Sequence, residues 1–168
     1  MIIIFYLKIL SYVSIYKYIN IMLQNLFNNL SKKGMKMLPS FNLKTLLISG
    51  TIMLLLDSVY LSLVKNYFNT LVKNIQGKEI TIKILGAVLC YLIMIIGLNV
   101  FIIQNGSYEK DLQNRVIYGG LLGLLVYGVY DTTNYAIFNK WDFKTVVMDT
   151  LWGGVIFSLT TFLTSFSE

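Results

Sequence analysis

Long apolar runs separated by short polar stretches dominate the chain. Four runs are long enough to cross a bilayer as helices, at about residues 43–64, 84–103, 116–138 and 145–166. A hydrocarbon core about 30 Å thick needs about 20 residues rising 1.5 Å each. Barrel strands would show alternation over about ten residues, and these runs are continuous instead. Lys44 and Lys65 bracket the first run, where their stems can reach the headgroups. Asn99 interrupts the second. The stretch 139–144 reads as a tight turn with Lys140, Trp141 and Asp142. Trp141 is expected there as an interfacial anchor. The pattern predicts an all-α integral membrane protein. Residues 40–168 form a bundle of four transmembrane helices, the last two an antiparallel hairpin.

Residues 1–39 read as a separate N-terminal extension. Within 15–30, Lys17, Asn20, Gln24 and Asn28 share one helical face. Ile15, Ile19, Met22, Leu26 and Leu30 share the other, the pattern of an amphipathic helix lying in the interface. Met1–Ser14 is apolar but short, with Lys8 in its middle, and an extra apolar helix is the alternative. No charged segment precedes it and no small-x-small site follows, so a cleaved signal peptide is not expected. Met35 and Met37 are alternative starts, which would leave residues 1–36 outside the mature protein.

Composition sharpens this picture. Of the 168 residues, 56% are hydrophobic and 13% charged, where a soluble domain carries about 25% charged residues. Lipid is therefore the expected solvent, and the chain a multi-pass membrane protein. It contains no His, which excludes Ser-His and Cys-His catalysis and any metal held by His. Its one cysteine, Cys90, cannot form an internal disulfide and reads as a small buried hydrophobe. There is no phosphate loop and no metalloprotease motif, and no cofactor is expected. The net charge is +6. The basic residues flank the apolar runs, so the lipid bilayer with its anionic headgroups is the expected partner, not nucleic acid. Lys and Arg are balanced between the two sides from residue 32 onward, and adding Lys8 and Lys17 places the N-terminus inside.

Three aspartates inside the apolar runs are the strongest candidates for chemistry. Asp57 follows Leu46–Leu56, Asp131 follows Val116–Tyr130, and Asp149 lies in Val146–Phe166. A carboxylate at the centre of a membrane helix costs about 2.5–3.5 kcal/mol, so three unpaired ones would cost roughly 8–10 kcal/mol. Such residues face protein or a cavity and mark function, unless they lie wet at the headgroup boundary. Gly119, Gly123, Tyr127 and Asp131 recur every four residues and form one stripe, with Tyr130 and Asn134 beside it. Gly119-x-x-x-Gly123 allows close helix approach and is a candidate homodimer contact. Asp149 shares a face with Trp152 and Gly153. Across the short turn, Asp131 and Asp149 should stand at comparable depth. The expected polar cluster is thus Asp57, Tyr127, Tyr130, Asp131, Asn134, Asp149 and Trp152, with Gly119, Gly123 and Gly153 as packing positions. A metal held by these acids is neither required nor excluded.

Residues 119–153 carry a longer pattern: a Gly-rich helix, Tyr130-Asp131-Thr132-Thr133-Asn134, Trp141 in the turn, then Asp149-x-x-Trp152-Gly153. This resembles a family of small multi-pass membrane proteins, domain of unknown function two-one-seven-seven. The family reads Tyr-Asp-Leu-Thr-Asn where this chain has Thr132 in place of Leu. Leu55-Leu56-Asp57-Ser58 is similar to the family's Asp-containing first helix. The resemblance covers about residues 40–166 and implies the architecture and the residue choice, with no activity to carry over. From the residues, the first functional expectation is a small transporter or proton- or cation-linked conducting protein. The alternatives are a structural or assembly protein whose polar residues lock helix packing, and a membrane-embedded enzyme using Asp131 and Asp149.

Overall fold

A computed structural model describes residues 42–104 and 111–167. The expected N-terminal helix lies outside the described residues. Among the described residues there are four α-helices: α1 Leu43–Gln76, α2 Ile84–Leu98, α3 Leu112–Ile137 and α4 Phe143–Thr164. A π turn, Asn99–Ile103, prolongs α2, and a 3-10 turn, Ser165–Ser167, ends α4. All four helical segments are long and apolar enough to cross a membrane. The protein is a four-helix transmembrane bundle.

Side chains that stop or start a helix set the boundaries. Asn42, Asp111 and Asp142 cap α1, α3 and α4 by accepting hydrogen bonds from backbone N–H groups of Lys44, Asn114 and Thr145. Gly77 ends α1 at φ 73°, the left-handed region that glycine adopts without strain. No earlier residue breaks α1, so it runs to Gln76 and not to about residue 64. Its 34 residues span about 51 Å against a core of about 30 Å. The connection to α2 shrinks accordingly to residues 77–83.

The buried faces are more polar than the exposed ones. Leu47, Leu55 and Leu63 of α1 are exposed, while Thr45, Ser49, Gly50, Met53 and Asp57 are buried at helical spacing. In α4 the inner face carries Thr145, Asp149, Gly153, Ile156, Thr160 and Thr164. This is the pattern expected where lipid, not water, surrounds the bundle. Apolar burial gives no net drive between helices there, and small or hydrogen-bonding residues take the contacts. Across the middle, Met53, Leu98, Ile156 and Phe157 form a fully buried apolar layer with Met94, Ile102 and Ile103. Cys90, expected inside, is exposed on α2.

At the end where α1 begins, a polar network fastens α2 to α1. Asn99, fully buried, donates to Ser49 Oγ at 2.8 Å and accepts from Gln104 at 2.9 Å. Gln104 in turn accepts from the Asn42 N–H at 2.7 Å. Asn99→Leu would remove one hydrogen bond each from the Gln104 amide, which keeps the Asn42 carbonyl, and from the Ser49 hydroxyl, which keeps the Leu46 carbonyl. Each lost bond is worth about 1 kcal/mol. The expected result is a lower melting temperature in detergent for Asn99→Leu than for wild type. Equal melting would show that the network adds nothing.

Candidate functional site

The three aspartates stand at the other end of the interior, toward the α3–α4 turn. Asp131 lies six residues before the end of α3 and Asp149 six after the start of α4. That places both about 9 Å along their helices from the turn. None is wet at the boundary: relative exposure is 6% for Asp57, 0% for Asp131 and 9% for Asp149. Asp149 is within electrostatic range of both Asp57 and Asp131.

Two of the acids are held by donors, reciprocally. Asp57 and Tyr60 are three residues apart on α1, and Asp149 and Trp152 three apart on α4. Tyr60 donates to Asp149 Oδ1, and Trp152 Nε1 donates to Asp57 Oδ1 at 2.8 Å. The two donor rings stack, with centroids 4.4 Å apart and planes 9° from parallel. Each helix thus presents its acid to the other helix's aromatic donor. Tyr91 of α2 completes Asp57 by donating to Oδ2 at 2.5 Å. Tyr91 is a site residue that the sequence reading passed over. Its signal was weak: a tyrosine halfway along an apolar helix, where an interfacial tyrosine would stand near an end.

Asp131 is different. Among the described residues, neither of its carboxylate oxygens has a hydrogen-bond partner, although the side chain is fully buried. The Trp141 indole N–H lies beside it, yet neither group closes a hydrogen bond of normal length. Asn134, one turn further along the same face of α3, has a buried and unpartnered Nδ2. Trp141 is not the lipid-facing anchor expected from its place in the turn. The projecting end of α1 covers it, packing Leu71, Phe68 and Ile75 against Trp141 and Val146.

The remaining candidates divide. Tyr127 packs edge-on to Phe157 at 6.4 Å between centroids and lies against Gly153. Tyr130 is 60% exposed and meets the cluster only through its edge contact with Trp141, so it faces outward and not into the acid site. Gly119, Gly120 and Gly123 contact α4 of the same chain. A Cβ on Gly119 would lie 2.7 Å from Thr161 Oγ1, and one on Gly123 would overlap the Gly153 carbonyl. This small-residue face is therefore filled within the chain. Among the described residues, no group of three or more His, Cys, Asp or Glu side chains is placed to hold a metal ion.

A family model described as "Predicted membrane protein (DUF2177)" matches residues 42–166. The chain belongs to this family. The match spans all four helices and all three aspartates. No curated protein and no solved structure matches the chain. Family membership thus accounts for the membrane bundle and leaves the work of the site to its geometry.

The turn beneath the site is tied to α1. Tyr67 donates to Asp142 at 2.8 Å and pairs with Thr145 Oγ1 at 2.7 Å, and Lys140 donates to the Asn74 carbonyl at 2.8 Å. Partial desolvation pushes the Asp142 carboxyl up. The Thr145 N–H, the Tyr67 and Thr145 hydroxyls and the nearby Lys144 outweigh it and hold the group below the usual carboxylate range. A folded value below the unfolded one, about 3.9, adds stability that is full above that pH. The contribution is lost as pH falls through the folded value. Asp142→Ala should melt lower than wild type at pH 7, by a cap's worth of about 1 kcal/mol. The gap should narrow by pH 3. A gap that stays constant with pH would refute the assignment.

Proposed function

We propose that the protein is a small transporter or conducting protein for protons or cations, with Asp131 as the residue that takes up the charge. One observation carries this reading: a fully buried carboxylate with no hydrogen bond to either oxygen. Placing a charged group in a membrane helix costs about 2.5–3.5 kcal/mol, and a purely structural acid would recover that through donors. Asp57 and Asp149 have such donors. Asp131 has none among the described residues.

The test is flux in liposomes containing a pH-sensitive dye. Wild-type protein should dissipate an imposed pH gradient well above the rate of empty liposomes. Asp131→Asn should fall to the empty-liposome rate while keeping its melting temperature. Flux unchanged in Asp131→Asn would remove Asp131 from the mechanism. A second reading, that the polar residues lock helix packing, draws support from the reciprocal bonds of Asp57 and Asp149. It predicts no flux for wild type. A divalent-metal enzyme built on Asp131 and Asp149 draws less support, since among the described residues no group of three or more acids is placed to hold a metal ion.

A further inference from the structure

Resting on the Asp131 reading, we propose that the species handled there is a proton delivered by a bound water held among Asp131, Asn134 and Trp141, not a bare metal cation. The argument is one of donors and acceptors. Ionised Asp131 offers two oxygens that can only accept. Trp141 Nε1 can only donate, is buried, and has no partner. Asn134 Nδ2 also only donates, is buried, and has no partner. Trp141 lies beside the carboxylate without closing a bond to it, and its side chain is 7% exposed. The carboxylate and the Trp141 N–H therefore lie side by side without satisfying one another, and Asn134 Nδ2 is a further unpartnered donor three residues along the same helix.

A species that satisfies all three must accept from the N–H groups and donate to the carboxylate. A sodium, potassium or magnesium ion coordinates oxygen, and N–H groups directed at it would repel it. An ammonium ion donates to the carboxylate but cannot accept from the indole. Water does both, and buried waters sit where two to four polar partners converge. The charged groups facing this position are Asp149 from α4 and, beyond it, Asp57 from α1, with the Tyr60 hydroxyl between helices. All three are acids, so no fixed cation competes with an arriving proton. The step balances simply. The bound water gives one of its protons to an Asp131 oxygen, forming a carboxylic acid, as it takes up the arriving proton on its other side, so a neutral water stays between the N–H donors. Release reverses it.

Two measurements on the full chain separate this from the reading beneath it. The first is the water exchange of the two indole N–H protons by NMR in nanodiscs, assigned with Trp141→Phe. The Trp141 proton should show a water cross-peak. The Trp152 proton, bonded to Asp57, should not. Protection of both indoles alike would overturn the water site whatever the flux. The second is dye-reported proton flux with sodium, potassium or N-methylglucamine as the sole salt cation. Equal flux in all three is expected, with Trp141→Phe lowering it about tenfold, the worth of about one hydrogen bond. Flux that requires sodium or potassium would overturn the proton assignment. No flux from wild type in any salt would instead overturn the functional reading itself.

Discussion

Gly123→Ala is expected to destabilise the bundle by about 3 kcal/mol, the upper range for overpacking a core. The added methyl would fall on the Gly153 carbonyl and within 2.8 Å of the Phe157 Cβ. Both obstacles belong to the backbone or its first side-chain atom, so no rotamer change relieves them. Gly153 is confined in the same way, by the Tyr127 ring and the Gly123 carbonyl. The two glycines let α3 and α4 touch backbone to backbone, and separating the helices would pull the acid-bearing faces apart. Gly97→Ala is the control. No atom lies within 4 Å of its added Cβ, so the exchange should be neutral or gain up to about 1 kcal/mol in helix propensity. Melting of the purified proteins in one detergent compares them. Similar values for the two variants would show that the α3–α4 contact is looser than described.

Asp57→Ala is expected to lower stability, and Asp131→Asn to leave it unchanged or raise it. Removing the Asp57 carboxylate leaves the Tyr91 hydroxyl and the Trp152 N–H without their acceptor. Two buried orphaned donors cost about 1–3 kcal/mol each, so a loss of about 4 kcal/mol is expected. Asp131→Asn breaks no hydrogen bond, because none is made. It replaces a chargeable group with a neutral one of the same shape and lifts part of an insertion cost of about 2.5–3.5 kcal/mol. Its melting temperature should match or exceed that of wild type. Equal losses from both changes would mean that Asp131 is a packing residue like Asp57. That outcome would shift the protein toward the structural reading.

The sequence made the helices and the acids legible for a physical reason. A membrane span must be long and apolar, and a carboxylate within it stands out against that background. The pairing of the acids was not legible. That Trp152 serves Asp57 and Tyr60 serves Asp149 depends on which faces of α1 and α4 meet, which neither helix specifies alone. The extension of α1 was missed because Lys65–Gln76 is polar enough to resemble a loop, although nothing in it breaks a helix before Gly77. The burial of Trp141 followed from that same extension. Gly119-x-x-x-Gly123 announced a close helix contact without naming the partner, which is α4 of the same chain.

Asp131 is off-centre, and this bears on voltage. Along α3 it stands six residues from Ile137 and nineteen from Leu112, or about 9 Å and 29 Å. The longer side contains the apolar layer of Met53, Leu98, Ile156 and Phe157. A transmembrane potential is worth about 2.3 kcal/mol per charge per 100 mV and falls mostly across dry material. A charge reaching Asp131 from the turn would cross a small share of that field, and one leaving past Phe157 would cross most of it. Any electrical sensitivity of this bundle would then reside in a single leg of the path, the longer one between Asp131 and the start of α3.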